Sequence, residues 1–288
     1  MKRLIVTGDD FGLSSAVNHA IVRAHEQGLL TSASLMVNAA AASEAVALAK
    51  AHPRLAVGLH LVLCQGRSML PPNMIPGLVD AEGHFSGSPV RAGLRYFFLR
   101  SLRPQLHREI EAQLAAFLAT GLAMSHLDGH VNVHLHPTVL AILLELAGRY
   151  GIRAMRLPWD DLRSTLALDT TRLAYKLSHA LVFGLLCRYA RGRLVGAGVR
   201  AADRVYGLLQ SGDMNEAFLL GLLPRIRGEV VEWYCHVGLP PCPELEALTS
   251  ERVLKAVAAQ GLVLTSYREL LEGPASPSSI SRPPSTIL

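Results

Sequence analysis

Short apolar runs alternate with helical patterns along most of the chain, and this alternation restricts the fold more than any other feature. Runs that predict strands lie near Leu4–Thr7, Ala33–Val37, Leu55–Leu61, Ala123–Asp128, Arg153–Leu157, Val230–Cys235 and Leu262–Thr265. Between the first two runs, Ser14 is a candidate N-cap for an amphipathic helix that ends before Gly28. Such alternation predicts an α/β fold with a parallel sheet. Seven such strands favour a (β/α) barrel, seven-stranded and incomplete, and the absence of GxGxxG and GxxxxGK[ST] disfavours an open nucleotide-binding sheet.

The sequence predicts one domain followed by a tail. Residues 1–272 have the length and apolar content of a single barrel domain. Residues 273–288 are rich in Pro and Ser, so we expect them to be disordered. Two segments, near 83–108 and 160–205, depart from the strand–helix alternation. Because residues 83–108 and residues 170–202 contain arginines, apolar residues and no acid, we interpret both segments as basic, apolar insertions in the barrel.

Composition and patterning exclude several classes of protein. No apolar run approaches the ~20 residues of a membrane-spanning helix, and the N-terminus lacks a secretory signal, so we expect a cytoplasmic protein. The four cysteines form no CxxC pair, which disfavours a structural zinc ribbon. A net charge of +5 suits nucleic-acid binding, but aromatic content is only 6% and no nucleic-acid-binding motif occurs. We therefore expect no nucleic-acid partner.

Ionisable side chains follow the ends of five predicted strands. Asp9 and Asp10 follow the first strand, His60 ends the third, and His236 follows the sixth. The fourth and fifth strand ends add His126, Asp128, His130, His134, His136 and Arg156. The carboxyl ends of all strands in a (β/α) barrel open on one face, so we expect these side chains to converge. A lone His at a strand end is usually structural, but this set predicts an active site.

The residue types at the strand ends suit a catalytic metal site. Two His and one Asp from separate strands form a common metal-binding set that leaves positions for water and substrate. Asp9 and Asp10 would point to opposite sides of an extended backbone, so one is expected to bind the metal while the other takes a proton from water. A local site through His130 and His134 at i, i+4 is the alternative. It requires a helix, which the flanking Gly and Pro disfavour.

Five ordered motifs resemble those of a known family. VTGDDFGLS, GLHLVL, HLDGHVNVHLHP, RLP and EWYCHVG are similar to motifs of the YdjC-like carbohydrate deacetylases, and they span nearly the whole chain. HLHPTVL, RLPW and RVYGLLQSGDMNEAFLLGLL resemble the hopanoid-biosynthesis-associated branch of that family. The resemblance implies a (β/α) barrel of the glycoside hydrolase/deacetylase type. It also implies a divalent metal ion and hydrolysis of an N-acetyl group from a sugar.

The resemblance assigns the metal ligands and the base. The family's ligands fall on Asp10, His60 and His130, and its water-activating base falls on Asp9. The metal would polarise the acetamide carbonyl and stabilise the oxyanion, while Asp9 removes the proton of the attacking water. One divalent ion is expected. The ligand types suit zinc, cobalt or manganese, whereas the family is often assigned magnesium.

The remaining candidate residues have less specific roles. His236 matches a His suited to protonating the departing amine, but the family usually has Pro at the next position, where this chain has Val237. That substitution leaves the loop geometry and the acid role of His236 open. Asp128 often corresponds to Asn in the branch, so it is expected to hold a His in place rather than bind metal. His134 and Arg156 are expected to contact substrate or support the ligands.

The implied substrate is an N-acetylglucosaminyl hopanoid, a bacteriohopanetetrol-type glycolipid. Because such a lipid stays in the bilayer, peripheral contact with an anionic membrane would give the basic, apolar insertions a role. The alternative substrate is a soluble chitooligosaccharide. Homo-oligomerisation is left open by the sequence.

Proteins of other classes explain the sequence less well. A glycoside hydrolase needs two carboxylates that flank the bond, which the adjacent Asp9 and Asp10 cannot do. A serine hydrolase is disfavoured because GxSxG is absent. A non-catalytic membrane-surface binding protein accounts for the basic, apolar insertions but not for the ionisable residues at the strand ends.

Overall fold

The computed structural model describes residues 2–238 and 242–272, and within them seven parallel strands form the centre of the molecule. The strands are β1 Arg3–Phe11, β2 Ser32–Leu35, β3 Ala56–Leu61, β4 Leu127–Gly129, β5 Arg204–Tyr206, β6 Val230–Cys235 and β7 Val263–Thr265. Their hydrogen-bonded order is β4-β3-β2-β1-β6-β5, with β7 beside the first residues of β1. The predicted Pro/Ser tail at 273–288 lies outside the described residues.

Helices connect the strands and pack around the sheet. They are α1 Ser15–Gln27, α2 Ala42–Ala51, α3 Pro89–Phe98, α4 Arg103–Ala119, α5 Pro137–Tyr150, α6 Leu162–Leu166, α7 Leu173–Gly196, α8 Glu216–Leu222, α9 Pro243–Thr249, α10 Glu251–Ala259 and α11 Tyr267–Glu272. Short 3₁₀ segments cover Pro72–Met74, Arg100–Leu102, His130–Leu135 and Leu223–Arg225. Among the described residues, no helix is both long and apolar enough to cross a bilayer.

Local sequence signals account for the helix ends. The Ser14 side chain accepts a hydrogen bond from the Val17 amide and so caps α1. Pro137 begins α5, where its missing amide proton costs no hydrogen bond, and Gly151 ends the helix in the left-handed conformation. Gly28 follows α1 for a different reason. A Cβ atom there would lie 2.4 Å from the Leu248 carbonyl oxygen, so only glycine allows this close approach.

The barrel is incomplete between β4 and β5. The predicted strand at Arg153–Leu157 is wrong as a regular strand: it is extended, but isolated bridges alone join Ala154 to Arg200 and Met155 to Leu127. It partly fills the gap between the two edge strands. β5 was not predicted, because only three residues pair with β6. The predicted α/β class, an incomplete (β/α) barrel, is confirmed, and its seventh strand is β5 rather than the predicted one.

The two segments predicted to be insertions are largely helical, although the last two residues of the second belong to β5. The segment at 83–108 contains α3 and the start of α4, while the segment at 160–205 contains α6 and α7. The buried residues of α7 are few, namely Lys176, Cys187, Ala190 and Leu194, so most of this long helix faces outward. The assignment of residues 1–272 to a single domain stays a prediction.

Candidate active site

The carboxyl ends of the parallel strands open on one edge of the barrel, which we call the barrel mouth. β1 brings Asp9 and Asp10 to this edge, and β3 brings His60, which is paired in register with Asp128 of β4. His130 follows β4 directly, at the start of a 3₁₀ segment. The fold therefore brings these strand-end residues together at the barrel mouth.

The two adjacent carboxylates reach the same site because the backbone of β1 changes at Asp10. This residue has a φ of 62°, in the left-handed region that non-glycine residues rarely adopt. The pairing of β1 with β2 shifts register between Gly8 and Phe11. The Asn18 side chain accepts a hydrogen bond of 2.7 Å from the Gly12 amide and so holds the turn that follows. The expected placement of the carboxylates on opposite sides assumed a regular strand, which the structure does not have here.

Asp10, His60 and His130 converge at the barrel mouth. Their ligand atoms all lie within 4.8 Å of one another. Asp10 Oδ1 is 3.0 Å from His130 Nδ1 and 3.3 Å from His60 Nε2. One carboxylate oxygen and two imidazole nitrogens from separate segments form a donor set that holds divalent metal ions in proteins.

The orientation of His60 leaves one nitrogen for a cation. Its Nδ1–H donates to Asp128 Oδ1 at 2.7 Å, which fixes the ring. Its buried Nε2 has no hydrogen-bond partner of acceptable geometry, although Asp10 is near. A carboxylate that holds one imidazole nitrogen while the other faces the site is typical of metal-binding histidines. Asp128 thus contacts His60, one of the histidines that the sequence analysis expected to bind metal.

The electrostatics of the site favour positive charge. Burial opposes ionisation of Asp10, but the hydrogen bonds and charges of His130 and His60 hold its pKa well below the usual range. Burial likewise opposes protonation of His60, yet the Asp128 and Asp10 carboxylates raise its pKa to about 10. A protonated imidazole or a bound cation therefore satisfies these carboxylates.

Arg156 connects the carboxylates below the mouth. It is fully buried, and its Nη1 and Nη2 donate to the two oxygens of Asp9 at 2.8 Å each. Nη1 is also 2.8 Å from Asp128 Oδ2, and the guanidinium lies 4.4 Å from the centre of the Tyr234 ring. Arg156 therefore fixes Asp9 in one orientation. A second group of candidate ligands, Asp9, His60 and Asp128, is less suited to a metal because this guanidinium already occupies both carboxylates.

Glu232 was missed by the sequence analysis. It is completely buried in β6, and its Oε1 accepts hydrogen bonds from Arg156 Nε at 3.0 Å and from the Thr7 hydroxyl at 2.8 Å. Its Oε2 accepts a hydrogen bond from the Tyr267 hydroxyl at 2.6 Å. Glu232 thus holds the Nε and Nη2 edge of the guanidinium, next to the edge that contacts Asp9. A single acid inside the apolar run VVEWYC was the signal available in the sequence.

His236 lies at the open side of the site. Its Nε2 is 3.9 Å from Asp9 Oδ2, and its side chain is 33% exposed, more than any other candidate residue of this cluster. Its amide donates to Glu244, a second buried acid that the sequence analysis did not identify. His236 is therefore accessible to a molecule that enters the barrel mouth.

His134 does not join His130. The 3₁₀ segment between them is interrupted by left-handed residues at Val131 and Asn132, so the two rings are not on one helical face. His134 Nε2–H instead donates to the Arg156 carbonyl at 2.9 Å. Burial lowers the pKa of His134 to about 4, so the ring is neutral. The alternative local metal site does not form, and His134 lies where it supports the backbone of Arg156.

Comparison with known proteins identifies the family. A sequence model described as YdjC-like protein matches residues 3–259 of the chain. The chain belongs to the YdjC-like family. The matched residues include Asp9, Asp10, His60, His130 and His236, so the family match contains the candidate site.

Relatives of known name match over nearly the whole chain. A protein of Geobacillus stearothermophilus named carbohydrate deacetylase is 33% identical over 278 residues, 92% of this chain and 96% of the relative. A protein of Serratia marcescens named chitooligosaccharide deacetylase is 29% identical over 287 residues, 93% of this chain and 99% of the relative. A solved structure from Enterococcus faecalis V583, proposed as a cellobiose-phosphate cleavage protein, has a TM-score of 0.72 and 26% identity over 93% of this chain and 98% of its own. The chain therefore shares its overall fold with this solved structure.

Proposed function

We propose that this protein is a metal-dependent carbohydrate N-deacetylase that hydrolyses the N-acetyl group of an N-acetylglucosamine-containing substrate. The observation that carries the proposal is the cluster of Asp10, His60 and His130 beside the buried pair of Asp9 and Arg156. The names of the relatives from Geobacillus stearothermophilus and Serratia marcescens support the reaction type.

The residues of the cluster fit a divalent cation. The unpartnered His60 Nε2 and the left-handed Asp10 both face the place where the three ligand atoms meet. Two imidazole nitrogens favour zinc, cobalt or manganese over magnesium, which prefers an all-oxygen set. When bound, such an ion would polarise the acetamide carbonyl and lower the pKa of a coordinated water.

The chain's own residues supply the proton transfers. Asp9 takes the proton from the attacking water, and the bidentate contact with Arg156 aims its carboxylate at that water. The water oxygen forms a bond to the acetyl carbon, and the C–N bond then breaks to release acetate and the sugar amine. His236, which is accessible and near Asp9, protonates the departing amine.

The finer proposal concerns the substrate. The resemblance of the segment RVYGLLQSGDMNEAFLLGLL to the hopanoid-associated branch supports an N-acetylglucosaminyl hopanoid. This lipid stays in the bilayer, so the proposal includes peripheral contact with an anionic membrane at its inner face. A soluble chitooligosaccharide is the second candidate, supported by the name of the Serratia marcescens relative.

A mass-spectrometric assay tests the reaction and the substrate together. Purified protein is incubated with the glycolipid and, separately, with N,N′-diacetylchitobiose, and products that have lost one acetyl group are measured. We expect deacetylation of the glycolipid, and we expect His60→Ala to abolish it. The surface variant His84→Ala is the matched control, since His84 lies outside the cluster and is half exposed.

Each outcome of this assay has one interpretation. Deacetylation of chitobiose alone contradicts the lipid substrate and leaves the deacetylase intact. Cleavage of the glycosidic bond with the acetyl group retained contradicts the deacetylase. Full activity of His60→Ala contradicts the assignment of the site.

A further inference from the structure

An apolar ridge runs along the exposed side of α7. It consists of leucines spaced four residues apart, with exposed fractions of 47, 47, 65 and 62%: Leu173, Leu177, Leu181 and Leu185. Residues at this spacing lie on one face of a helix. The outward face of a helix in a water-soluble protein is normally polar, so this ridge indicates an interaction surface.

A second apolar ridge lies on α3. Its members are 72, 55 and 69% exposed and again share one helical face: Val90, Leu94 and Phe98. The neighbouring Phe97 is 56% exposed and contacts Phe98 edge-to-face. We refer to these sets as the α3 ridge and the α7 ridge.

The sequence segments that contain the two ridges are basic. The segments at 83–108 and 170–202, which contain them, have no Asp or Glu. Arg91 and Arg100 beside the α3 ridge and Arg188 beside the α7 ridge are exposed. Within the part of the chain that the structure describes, these three side chains form no hydrogen bond or ion pair. Their charges are therefore available to an anionic partner.

The helices that carry the two ridges pack on the segments that follow β4 at the barrel mouth. α3 is attached to the start of α5, where the Thr138 hydroxyl donates to the Tyr96 carbonyl at 2.9 Å and His136 contacts the Gly93 carbonyl at 3.0 Å. α7 packs on α5 and on the 3₁₀ segment that begins with His130. Both ridges are therefore carried by helices that pack beside the candidate active site.

We propose that the α3 and α7 ridges dock on an anionic lipid bilayer, with the barrel mouth facing the headgroups. A bilayer supplies both an apolar layer and negative charge, which match the leucines and the arginines respectively. A second copy of this chain fits less well, because a symmetric contact would place acid-free basic segments against each other. The proposal names the membrane partner of the proposed function, but its test does not require deacetylation.

A comparison of two charge-matched variants tests whether the arginines beside the ridges contribute to bilayer binding. The full chain is sedimented with phosphatidylcholine vesicles, with and without phosphatidylglycerol. We expect binding only to the anionic vesicles, and we expect it to weaken with salt. The triple variant Arg91→Gln/Arg100→Gln/Arg188→Gln should bind roughly five-fold more weakly per removed charge. Its control, Arg23→Gln/Arg54→Gln/Arg153→Gln, removes equal charge from exposed arginines elsewhere and should bind nearly as wild type.

A second comparison tests whether the exposed leucines of the α7 ridge contribute to bilayer binding. Leu185→Glu should weaken vesicle binding at least ten-fold, whereas Leu118→Glu on α4, at a leucine that is 46% exposed, should not. The far-UV circular dichroism spectrum and the urea-unfolding midpoint of every variant report whether the fold is intact, without reference to deacetylation. Absence of vesicle binding, or equal losses in both charge triples, would overturn the proposal without affecting the deacetylase. If the protein does not bind vesicles but forms a dimer that Leu185→Glu dissociates, the α7 ridge is instead a contact with a second copy of the chain.

Discussion

Asp10 shows at the scale of one residue how two adjacent carboxylates share one site. A left-handed non-glycine residue costs of order 1–3 kcal/mol, and such strain concentrates at functional sites. Here it turns the Asp10 carboxylate towards His60 and His130 while Asp9 contacts Arg156. The sequence pattern DD suggested different roles for the two residues, but the left-handed backbone could not be predicted from it.

The division of labour between the two carboxylates is testable. Asp9→Asn should keep the bound metal and lose about 10²–10⁴-fold in kcat, because an amide cannot take the proton of water. Asp10→Asn should lose metal as well, since Asp10 contacts both His60 and His130. Metal analysis of both purified variants, alongside kinetics, checks this. Equal metal loss in the two variants would show that the roles are not divided.

Glu232 is expected to act through Arg156 rather than on the substrate. Glu232→Gln removes the charge that holds Arg156 Nε, so the Asp9 carboxylate becomes less well aimed. We expect kcat to fall about 10–100-fold, with KM and metal content unchanged. Tyr267→Phe is the matched control, because it removes one hydrogen bond to Glu232 but keeps the charge. A similar loss in both variants would indicate that packing of the barrel interior, and not charge, is responsible.

At the scale of elements, the 3₁₀ segment His130–Leu135 links the candidate metal site to the barrel interior. Its first residue faces Asp10, and its fifth, His134, donates to the Arg156 carbonyl. The His134 ring is completely buried. A ring that must stay neutral in this position makes the segment sensitive to acid.

The pH dependence of stability follows from His134. Its pKa is about 4 in the folded protein and about 6.5 in an unfolded chain, so the unfolded state binds more protons between these values. The stability is therefore fully present above pH 6.5 and is lost as the pH falls. Between pH 7 and pH 5 we expect the free energy of unfolding to fall by about 2 kcal/mol more in the wild type than in His134→Asn. Urea unfolding of both proteins at pH 7 and pH 5 measures this difference. Equal losses in the two proteins would show that His134 is not the group responsible.

The elements also show what the sequence could and could not predict. Long apolar runs such as Val230–Cys235 were recognised because burial on both faces imposes a continuous apolar pattern. Arg153–Leu157 is shorter and contains two arginines, and it pairs only through isolated bridges, because it lies where the barrel fails to close. The strand ends located a set of residues that includes Asp10, His60 and His130, and the family resemblance singled out these three. Arg156 and Glu232 are 76 positions apart, so the lone acid in VVEWYC gave no indication of its partner.

At the scale of the whole molecule, the barrel interior carries an excess of acid. Four carboxylates surround one guanidinium and one imidazole there. Arg156 contacts Asp9 and Glu232, and His60 contacts Asp10 and Asp128. Buried acids without matching positive charge oppose folding. A divalent cation at the barrel mouth would offset part of this excess, so metal binding and stability are expected to be coupled.

The coupling of metal binding to stability is measurable. Metal-free protein should gain about 2.7 kcal/mol of unfolding free energy at a metal concentration one hundred times the dissociation constant, because the ion binds the folded state alone. His60→Ala should lose this increment, since it removes the nitrogen that faces Asp10. His84→Ala, at a half-exposed histidine outside the cluster, should keep it. Urea unfolding with and without zinc measures the increment in all three proteins. An undiminished increment in His60→Ala would place the metal somewhere other than the barrel mouth.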